Sequence, residues 1–333
     1  MRIGVMYDGF SPLPGIIDFV RRADDLGLDS VWVAEHIPFR DAFGPAMAFL
    51  GETRKIAVVP TAVSPYVRNP AMIAMSVATL AEFAPGRVRV VLGAGQPDDL
   101  RAIGVEPARP LQTLKEALSI VRKALAGESL AHEGEVFRME DRRLDFPPLP
   151  ASPVPLHLAA VGPNMLRLAG RHADGALFSG GCSPAYIKWG KGVVTGEGEG
   201  GGDGGKAGKN PERRAVASVI VASLSSDRNV AYAAVRRALA FILRGEHHDR
   251  NRELAGTSLD GQALADAVSR ADWDRAEAMI DDEVVRAHSV AGDEAEFAER
   301  LGEFGDAGLD CGVLALQGAA EDRLRALEVA ARV

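Results

Sequence analysis

The chain has 333 residues, of which 47% are hydrophobic and 25% charged, with a formal net charge of −8. This length suits one α/β barrel with insertions, and no apolar run approaches the roughly 18 residues of a membrane span. The acidic balance disfavours nucleic acid as a partner, because phosphate binding needs clustered Lys and Arg. Cys182 and Cys311 lie far apart without metal-ligand spacing, so we expect reduced thiols. The amino terminus is typical of a strand, not a signal peptide, which predicts a cytoplasmic protein acting on small molecules.

Short β-branched apolar runs alternate with longer segments of helical period along nearly the whole chain. This alternation is typical of βα units around a parallel sheet. The predicted strands are 2–7, 29–34, 56–62, 88–93, 155–160, 175–179, 214–224 and 311–316. These eight units predict an α/β fold, a (β/α)8 TIM barrel with insertions, formed by residues 1–333 as a single domain. A doubly wound open sheet is the alternative, because periodicity alone does not show closure.

Amphipathic helices are expected to cover this sheet. After the first strand, apolar residues recur at spacings of three and four from Ile16 to Leu26, and Gly27 follows as a stop. The segment 111–126 repeats this pattern and ends at Gly127. Both segments therefore predict barrel helices with one buried face.

Three stretches depart from this alternation of strands and helices. Residues 132–153 predict a small hairpin inserted into the barrel. Residues 190–210 are rich in glycine and predict a mobile surface loop, because they offer little apolar surface to offset the entropy of ordering. Residues 227–289 are mainly helical by period and are interpreted as decoration of the barrel. Their run His247-His248-Asp249 is interpreted as a solvated charged turn, so no metal site is expected.

Active sites of such barrels lie at the carboxyl ends of the strands, which directs attention to the residues just beyond each strand. Glu35 and His36 follow the second predicted strand. Imidazole is the side chain best able to donate or accept a proton near neutral pH. The pair is therefore the candidate catalytic centre, and a helix-capping or salt-bridged pair is the alternative interpretation.

A rigid turn and two glycines follow the third and fourth strands. The turn 60–70 is fixed by prolines, so it could hold a planar ring or simply connect strand to helix. Within it, Arg68 could contact an anion or cap a loop. Gly93 and Gly95 permit close approach of a ligand to the backbone, but without a third glycine they form no Rossmann fingerprint.

The fifth and sixth strands end in further small residues. Residues 160–163 lead directly into a helix predicted at 165–171, whose free amides would attract an anion. A plain helix start capped by Asn164 is equally compatible with these residues. Ser179 and Gly180 add small residues at the same face of the barrel.

Taken together and in order, these segments resemble the luciferase-like monooxygenase superfamily over nearly the whole chain. The resemblance is carried by residues 27–36 (GLDSVWVAEH), 64–70 (SPYVRNP), 93–95 (GAG), 155–163 (PLHLAAVGP) and 168–175 (LAGRHADG). Within the superfamily the chain is most similar to the F420-dependent methylenetetrahydromethanopterin reductase subgroup. That similarity is carried by the Ser-Pro-Tyr turn, Ala-Thr-Leu at 78–80, Gly162-Pro163 and Ser-Val-Ala-Gly at 289–292.

The resemblance implies a hydride transfer between coenzyme F420 and a small organic substrate. Glu35 and His36 would then lie near the reacting carbon, with His36 donating a proton or orienting the substrate. A non-proline cis bond between Ala62 and Val63 is also implied, within a bulge behind the ring. The implied cofactor-binding residues are Thr61, Ala62, Val63, Gly93, Gly95, Gln96, Ala160, Val161, Gly162, Pro163, Ser179 and Gly180.

Alternatives to this assignment remain open. An FMN-dependent luciferase-like monooxygenase is the second enzyme hypothesis, and a non-catalytic flavin-binding barrel is the third. Sugar-phosphate dehydrogenases and reductases of the superfamily carry an acid where this chain has Gln96, so a different small substrate is compatible with the sequence. The resemblance also implies a homodimer formed through exposed apolar faces of the early barrel helices.

Overall fold

The computed structural model of the protein describes residues 1–145, 153–197 and 214–333. The strands of these residues are β1 (Arg2–Tyr7), β2 (Ser30–Ala34), β3 (Ala57–Thr61), β4 (Val90–Leu92), β5 (His132–Glu133), β6 (Arg138–Met139), β7 (Leu156–Ala159), β8 (Gly175–Phe178), β9 (Ala215–Leu224), β10 (Val290–Gly292) and β11 (Cys311–Leu316).

Eight parallel strands form a closed barrel. The hydrogen-bonded order runs β3-β2-β1-β11-β9-β8-β7-β4. Isolated parallel bridges from Val58 to Val88 and from Val63 to Leu92 join β3 to β4 and close the ring. This closure confirms the predicted TIM barrel and excludes the open sheet. The predicted strands agree with the observed ones to within two residues at each end.

Helices surround this ring. They are α1 (Leu13–Asp25), α2 (Phe43–Glu52), α3 (Pro70–Phe83), α4 (Pro97–Ala102), α5 (Pro110–Leu125), α6 (Pro163–His172), α7 (Pro184–Thr195), α8 (Arg228–Leu243), α9 (Asp249–Ala255), α10 (Gly261–Ser269), α11 (Trp273–Ala278), α12 (Asp282–His288), α13 (Glu294–Asp306) and α14 (Ala320–Ala330). The predicted stops at Gly27 and Gly127 are confirmed, since both adopt positive φ, at 79° and 76°. None of the helices in the described ranges is both long and apolar enough to cross a membrane.

The predicted loop 190–210 begins too early. Residues 190–195 form the last turns of α7, because Val194 is buried and Gly190 packs closely on a neighbouring ring. A Cβ at Gly190 would lie 2.9 Å from the Phe178 ring, so glycine at this position serves helix packing. The sequence pattern misses this because glycine usually interrupts helices. Residues 198–210 lie outside the described part of the chain.

The other two insertions are placed as predicted. β5 and β6 pair antiparallel as the hairpin expected within 132–153, of which residues 146–152 lie outside the described part. α8 to α12 occupy the helical stretch 227–289. They enclose a core cluster of their own, which includes Val221 of β9 and Ala291 of β10. β10, a short strand that the sequence did not predict, pairs in parallel with the end of β9.

Side chains from alternate positions of the strands fill the barrel interior. Trp32, Val59 and Val91 belong to an interior cluster, whereas their neighbours Val31 and Val58 face the helices. Burying each such side chain contributes roughly 1.5–3 kcal/mol to folding. The interior is therefore a packed core, and only its layer at the carboxyl ends of the strands is open to ligands.

Candidate active site

The floor of the barrel mouth is apolar and built from small groups. Ala62 and Ala159 are half-buried at the edge of the interior cluster, together with Met6 and Val219. Gly93 lies between the two alanines, since a Cβ there would be 2.7 Å from the Cβ of Ala62 and 3.3 Å from that of Ala159. A side chain at position 93 would displace these neighbours, so only glycine fits this part of the floor.

A cis peptide bond lies at this floor, one residue before the position that the resemblance implied. It joins Thr61 to Ala62, and the expectation of a cis bond between Ala62 and Val63 is wrong. Val63 is already part of the ladder with β4: its N–H donates to Val91 O at 2.9 Å, and Gly93 N–H donates to Val63 O at 3.0 Å. The cis bond therefore lies at the end of β3, just before Val63, which is hydrogen-bonded to the β4 segment. Thr61 Oγ1 is buried without a hydrogen-bond partner among the described residues.

Glu35 is held against this floor by the backbone. Its N–H donates to Thr61 O at 2.7 Å, which extends the pairing of β2 with β3 by one residue. The side chain is 11% exposed, and its Oε2 lies 3.6 Å from the Arg68 guanidinium and 3.4 Å from the Ala42 amide. Oε1 is buried and has no hydrogen-bond partner by geometry in the described part of the chain, and the Ser64 amide lies near enough to favour the charged form of the carboxyl.

Burial and a neighbouring charge act in opposite directions on the Glu35 carboxyl. Burial raises its pKa above the ordinary value of 4.5, and the charge of Arg68 opposes this rise. Glu35 thus forms an ion pair, as the alternative interpretation of the Glu35–His36 pair allowed, but its partner is Arg68 and not His36. A carboxyl with a raised pKa and an unpaired oxygen suits acid–base chemistry.

His36 stands at the rim of the same mouth. Its side chain is exposed, but the ring stacks on Phe10 with centroids 5.4 Å apart and an angle of 17° between the planes. The surrounding protein lowers its pKa below 6.5 by desolvation, against the opposing charges of Asp8 and Asp99. The imidazole is therefore neutral at pH 7 and can both donate and accept a hydrogen bond. Sequence reasoning missed Phe10, because no pattern places the first loop beside the second.

The loop after β4 also borders the floor, and α4, which follows it, brings the charge of Asp99 near His36. Gly95 is exposed with φ 80°, and Gln96 is exposed immediately before α4. Ser64 Oγ donates to Ala94 O at 3.1 Å, which ties this loop to the turn after β3. The structure thus brings the predicted residues of β2, β3 and β4 together in one contiguous part of the rim.

The predicted anion site lies on β7 and β8, in another part of the rim. Gly162 occupies the N-cap position of α6 with φ 74°, and no atom lies within 4 Å of where its Cβ would be. Ala160 is buried, whereas Val161 is half-buried and Pro163 exposed. The alternative of an Asn164 cap is wrong, since Asn164 Oδ1 accepts a hydrogen bond from Arg167 instead. The open backbone at the start of α6 suits an anion.

Ser179 and Gly180 complete this part of the rim, with support that the sequence did not reveal. Ser179 is half-buried, and its Oγ lies 3.4 Å from Nε2 of His248. The interpretation of 247–249 as a solvated turn is wrong for His248, which is 1% exposed. Sequence spacing gives no signal for this contact, because 69 residues separate Ser179 from His248.

Comparison with known proteins agrees with this architecture. A family model described as luciferase-like monooxygenase matches residues 1–311. The 5,10-methylenetetrahydromethanopterin reductase of Archaeoglobus fulgidus is 29% identical over 299 residues, which cover 87% of this chain and 86% of the relative. An F420-dependent glucose-6-phosphate dehydrogenase of Kineococcus radiotolerans is 33% identical over 181 residues, covering 50% of this chain and 53% of the relative.

A solved structure extends the comparison to the whole fold. The coenzyme F420-dependent tetrahydromethanopterin reductase of Methanopyrus kandleri superposes with a TM-score of 0.88 at 22% identity, covering 99% of this chain and 97% of the other. At this identity the match concerns the fold alone. Together with the match over residues 1–311, it confirms the assignment made from sequence: the chain belongs to the luciferase-like monooxygenase family.

Proposed function

We propose that this protein is a coenzyme F420-dependent oxidoreductase that transfers a hydride between the deazaflavin and a small organic substrate. The observation that carries the proposal is the anchoring of Glu35 at the floor, where its amide donates to Thr61 O at 2.7 Å. Two groups able to exchange protons, Glu35 and His36, thereby border a shallow apolar surface. A hydride transfer that also requires a proton needs both features.

The residues of the mouth fit a deazaflavin. The apolar floor of Ala62, Gly93 and Ala159 suits one face of a planar ring, and Thr61 and Val63 flank it. On the other part of the rim, the open backbone from Ala160 to Pro163, with Ser179 and Gly180, suits the cofactor phosphate. Gly95 and Gln96 would border the ring. When bound, the deazaflavin supplies the carbon that gives or receives the hydride.

The side chains of this chain would handle the proton and the substrate. Neutral His36 orients a polar atom of the substrate through a ring nitrogen or donates its proton to that atom. Glu35 presents its unpaired Oε1 as a second proton-exchanging group. The exposed ring of Phe10 beside His36 adds an apolar wall against which a substrate can pack.

The choice of coenzyme F420 over FMN rests on the relatives. The methylenetetrahydromethanopterin reductases of Archaeoglobus fulgidus and Methanolobus tindarius match 87% and 93% of this chain. The reductase subgroup that this sequence resembles is F420-dependent. The glucose-6-phosphate dehydrogenases match only about half of it. With Gln96 in place of an acid, we assign the substrate to small unsaturated or imine compounds and not to sugar phosphates.

A titration of the purified protein with coenzyme F420 and, separately, with FMN tests this proposal. Fluorescence and the thermal midpoint report binding, because a ligand that binds the native state stabilises it by mass action. We expect selective binding of F420. Selective binding of FMN would replace the proposal with an oxygen-using monooxygenase, and binding of neither would favour a non-catalytic barrel.

A variant of His36 tests the catalytic part. His36→Ala should lower turnover by roughly 10²–10⁴-fold and leave the affinity for F420 unchanged. His172→Ala provides the matched control, because this histidine is exposed on α6 outside the mouth. Unchanged turnover in His36→Ala would remove His36 from the mechanism.

The proposal includes a cytoplasmic homodimer of one barrel domain per chain. Met72, Met75 and Phe83 are exposed by 49%, 44% and 56% and recur along one side of α3. An apolar stripe of this kind suits an interface between copies. Sedimentation should therefore show a dimer at micromolar concentration, and Met75→Glu should shift it to a monomer.

A further inference from the structure

A buried polar network joins the helical insertion to the turn that follows β8. Asn251, His248 and His288 are 0%, 1% and 1% exposed, and all three come from the stretch 227–289. Their hydrogen bonds converge on residues 179–183. Burying a polar group costs free energy unless the group is hydrogen-bonded. The hydrogen bonds of this network therefore fix the position of the turn.

Asn251 holds the turn at two points. Its Nδ2 donates to Gly181 O at 2.8 Å, and its Oδ1 accepts from Ser183 N–H at 2.9 Å. His288 Nδ1 lies 2.8 Å from the same Gly181 O. Because a carbonyl oxygen can only accept, His288 carries its proton on Nδ1, and its Nε2 accepts from Thr257 Oγ1 at 3.3 Å.

The tautomer of His248 follows from Asn251. Asn251 Nδ2 lies 3.3 Å from His248 Nδ1 and 3.4 Å from His288 Nδ1. Because His288 Nδ1 carries a proton for Gly181 O, the second hydrogen of Asn251 Nδ2 is left for His248 Nδ1, which accepts it. His248 then carries its proton on Nε2 and donates to Ser179 Oγ at 3.4 Å. Burial lowers the pKa of His248 to about 3 and that of His288 to about 4, so both rings are neutral at pH 7.

Ser179 is left with one free hydrogen. Its Oγ accepts from His248, and no other hydrogen bond of this hydroxyl occurs among the described residues. The hydroxyl proton is therefore available to an anion at the rim, and the tautomer of His248 determines this orientation. If His248 accepted from Ser179, the hydroxyl would present its lone pairs instead and repel an anion.

We infer that His248, Asn251 and His288 are positioning residues, which fix the 179–183 turn and orient the Ser179 hydroxyl as a donor to the cofactor phosphate. The inference rests on the proposed function, since it assigns the phosphate to this turn. The 227–289 insertion, which the sequence analysis interprets only as decoration of the barrel, thereby contributes to cofactor affinity. The network acts through the turn and does not touch the reacting atoms.

Two probes separate this role from a general structural one. Coenzyme F420 carries the phosphate, whereas the phosphate-free deazariboflavin has the same ring and ribityl chain without it. His248→Phe in the full chain should weaken F420 binding roughly tenfold, the effect of one hydrogen bond to a charged group, and leave deazariboflavin binding unchanged. His248→Gln, which can place an amide nitrogen near the position of Nε2, should restore most of the affinity.

Further variants keep the test decisive if His248→Phe fails to fold. Ser179→Ala should cause a similar loss for F420 alone, and the Ser179→Ala/His248→Phe pair should be no worse than either single change. His157→Asn is the matched control, since His157 is another buried histidine, 6% exposed, in a different part of the barrel. It should change neither affinity.

Each outcome is informative. Unchanged F420 affinity in Ser179→Ala, or equal losses for both probes in His248→Phe, would overturn the inference while leaving the proposed function intact. Additive losses in the double variant would also overturn it, because His248 would then act independently of Ser179. A wild-type protein that binds neither probe would instead refute the proposed function, and the inference with it.

Discussion

The guanidinium of Arg68 lies 3.6 Å from Glu35 Oε2 and 4.9 Å from the centre of the Phe43 ring. The aromatic face restricts the guanidinium, so the positive charge stays beside the carboxylate. Arg68 thereby limits how far burial can raise the pKa of Glu35. The ion pair thus opposes the effect of burial on the pKa of the acid at the mouth.

Replacing Arg68 with Met should raise the pKa of Glu35 further, because the opposing charge is lost. The side-chain carboxyl can be followed by ¹³C NMR across pH 3–9. Arg101→Met is the control, since Arg101 pairs with the exposed Asp98. A Glu35 pKa that does not move in Arg68→Met would show that the ion pair has no influence on the acid.

Removing the Phe10 ring should raise the pKa of His36 towards 6.5. The stacked phenyl ring is part of the enclosure that disfavours the charged imidazolium, so Phe10→Ala admits water to one face. We expect the midpoint of the ring titration, measured by NMR, to move upward. Phe83→Ala, which removes an equally exposed ring from α3, should leave His36 unchanged. A downward shift would contradict the proposed cause.

Adding a methyl group at Gly93 should disrupt the floor. Its Cβ would lie 2.7 Å from that of Ala62, so Gly93→Ala should destabilise the fold by about 1–3 kcal/mol and weaken cofactor binding. Ala62→Gly in the same chain should recover part of the loss, because it removes the colliding methyl. Gly302→Ala, whose added methyl group meets no atom within 4 Å in the interior of α13, should not lower the midpoint of thermal denaturation, because alanine is the better helix former. A tolerated alanine at Gly93 would mean that the floor is not closely packed.

Glu116 should make stability depend on acid pH. Burial favours its neutral form, but hydrogen bonds from Phe137, Glu135 and Val136 amides and from Gln112 outweigh this and lower its pKa from 4.5 to about 2. Because the folded-state pKa is the lower one, its contribution is complete above pH 4.5 and is lost as pH falls towards 2.

Replacing Glu116 with Gln should therefore lower the free energy of unfolding at pH 7 by on the order of 2–3 kcal/mol. The difference from the wild-type protein should shrink as denaturation is repeated at lower pH. Glu128→Gln, at an exposed position beyond the end of α5, is the control and should show no such dependence. A difference that stays constant with pH would rule out the carboxylate as its source.

The sequence predicts the barrel well because each βα unit leaves a local pattern. Apolar strands such as 311–316 and glycine stops such as Gly127 are readable within a short window. Gly190 is misread for the same reason: its packing against Phe178 involves a distant strand, and locally a glycine predicts a break. Local patterns thus locate elements but not the contacts between them.

The candidate site is only partly predictable from sequence. Strand ends can be identified, so the positions of Glu35 and His36 after β2 and of Ser179 after β8 are predictable, whereas their roles stay predictions. The partners of these residues come from remote loops: Arg68 reaches Glu35, Phe10 covers His36, and His248 supports Ser179. No period or motif encodes those pairings, because tertiary packing brings the residues together.

The ring of strands is least continuous between β3 and β4, where only two isolated bridges cross. The same junction carries Thr61, Ala62, Val63 and Gly93, the residues on which the proposed ring would rest. Amide hydrogens of Val63 and Gly93 should thus exchange with deuterium sooner than those at the middle of β9, which bonds to strands on both sides. A ligand bound across the β3–β4 junction would contact both strands. Binding of the ligand and closure of the barrel would therefore stabilise each other.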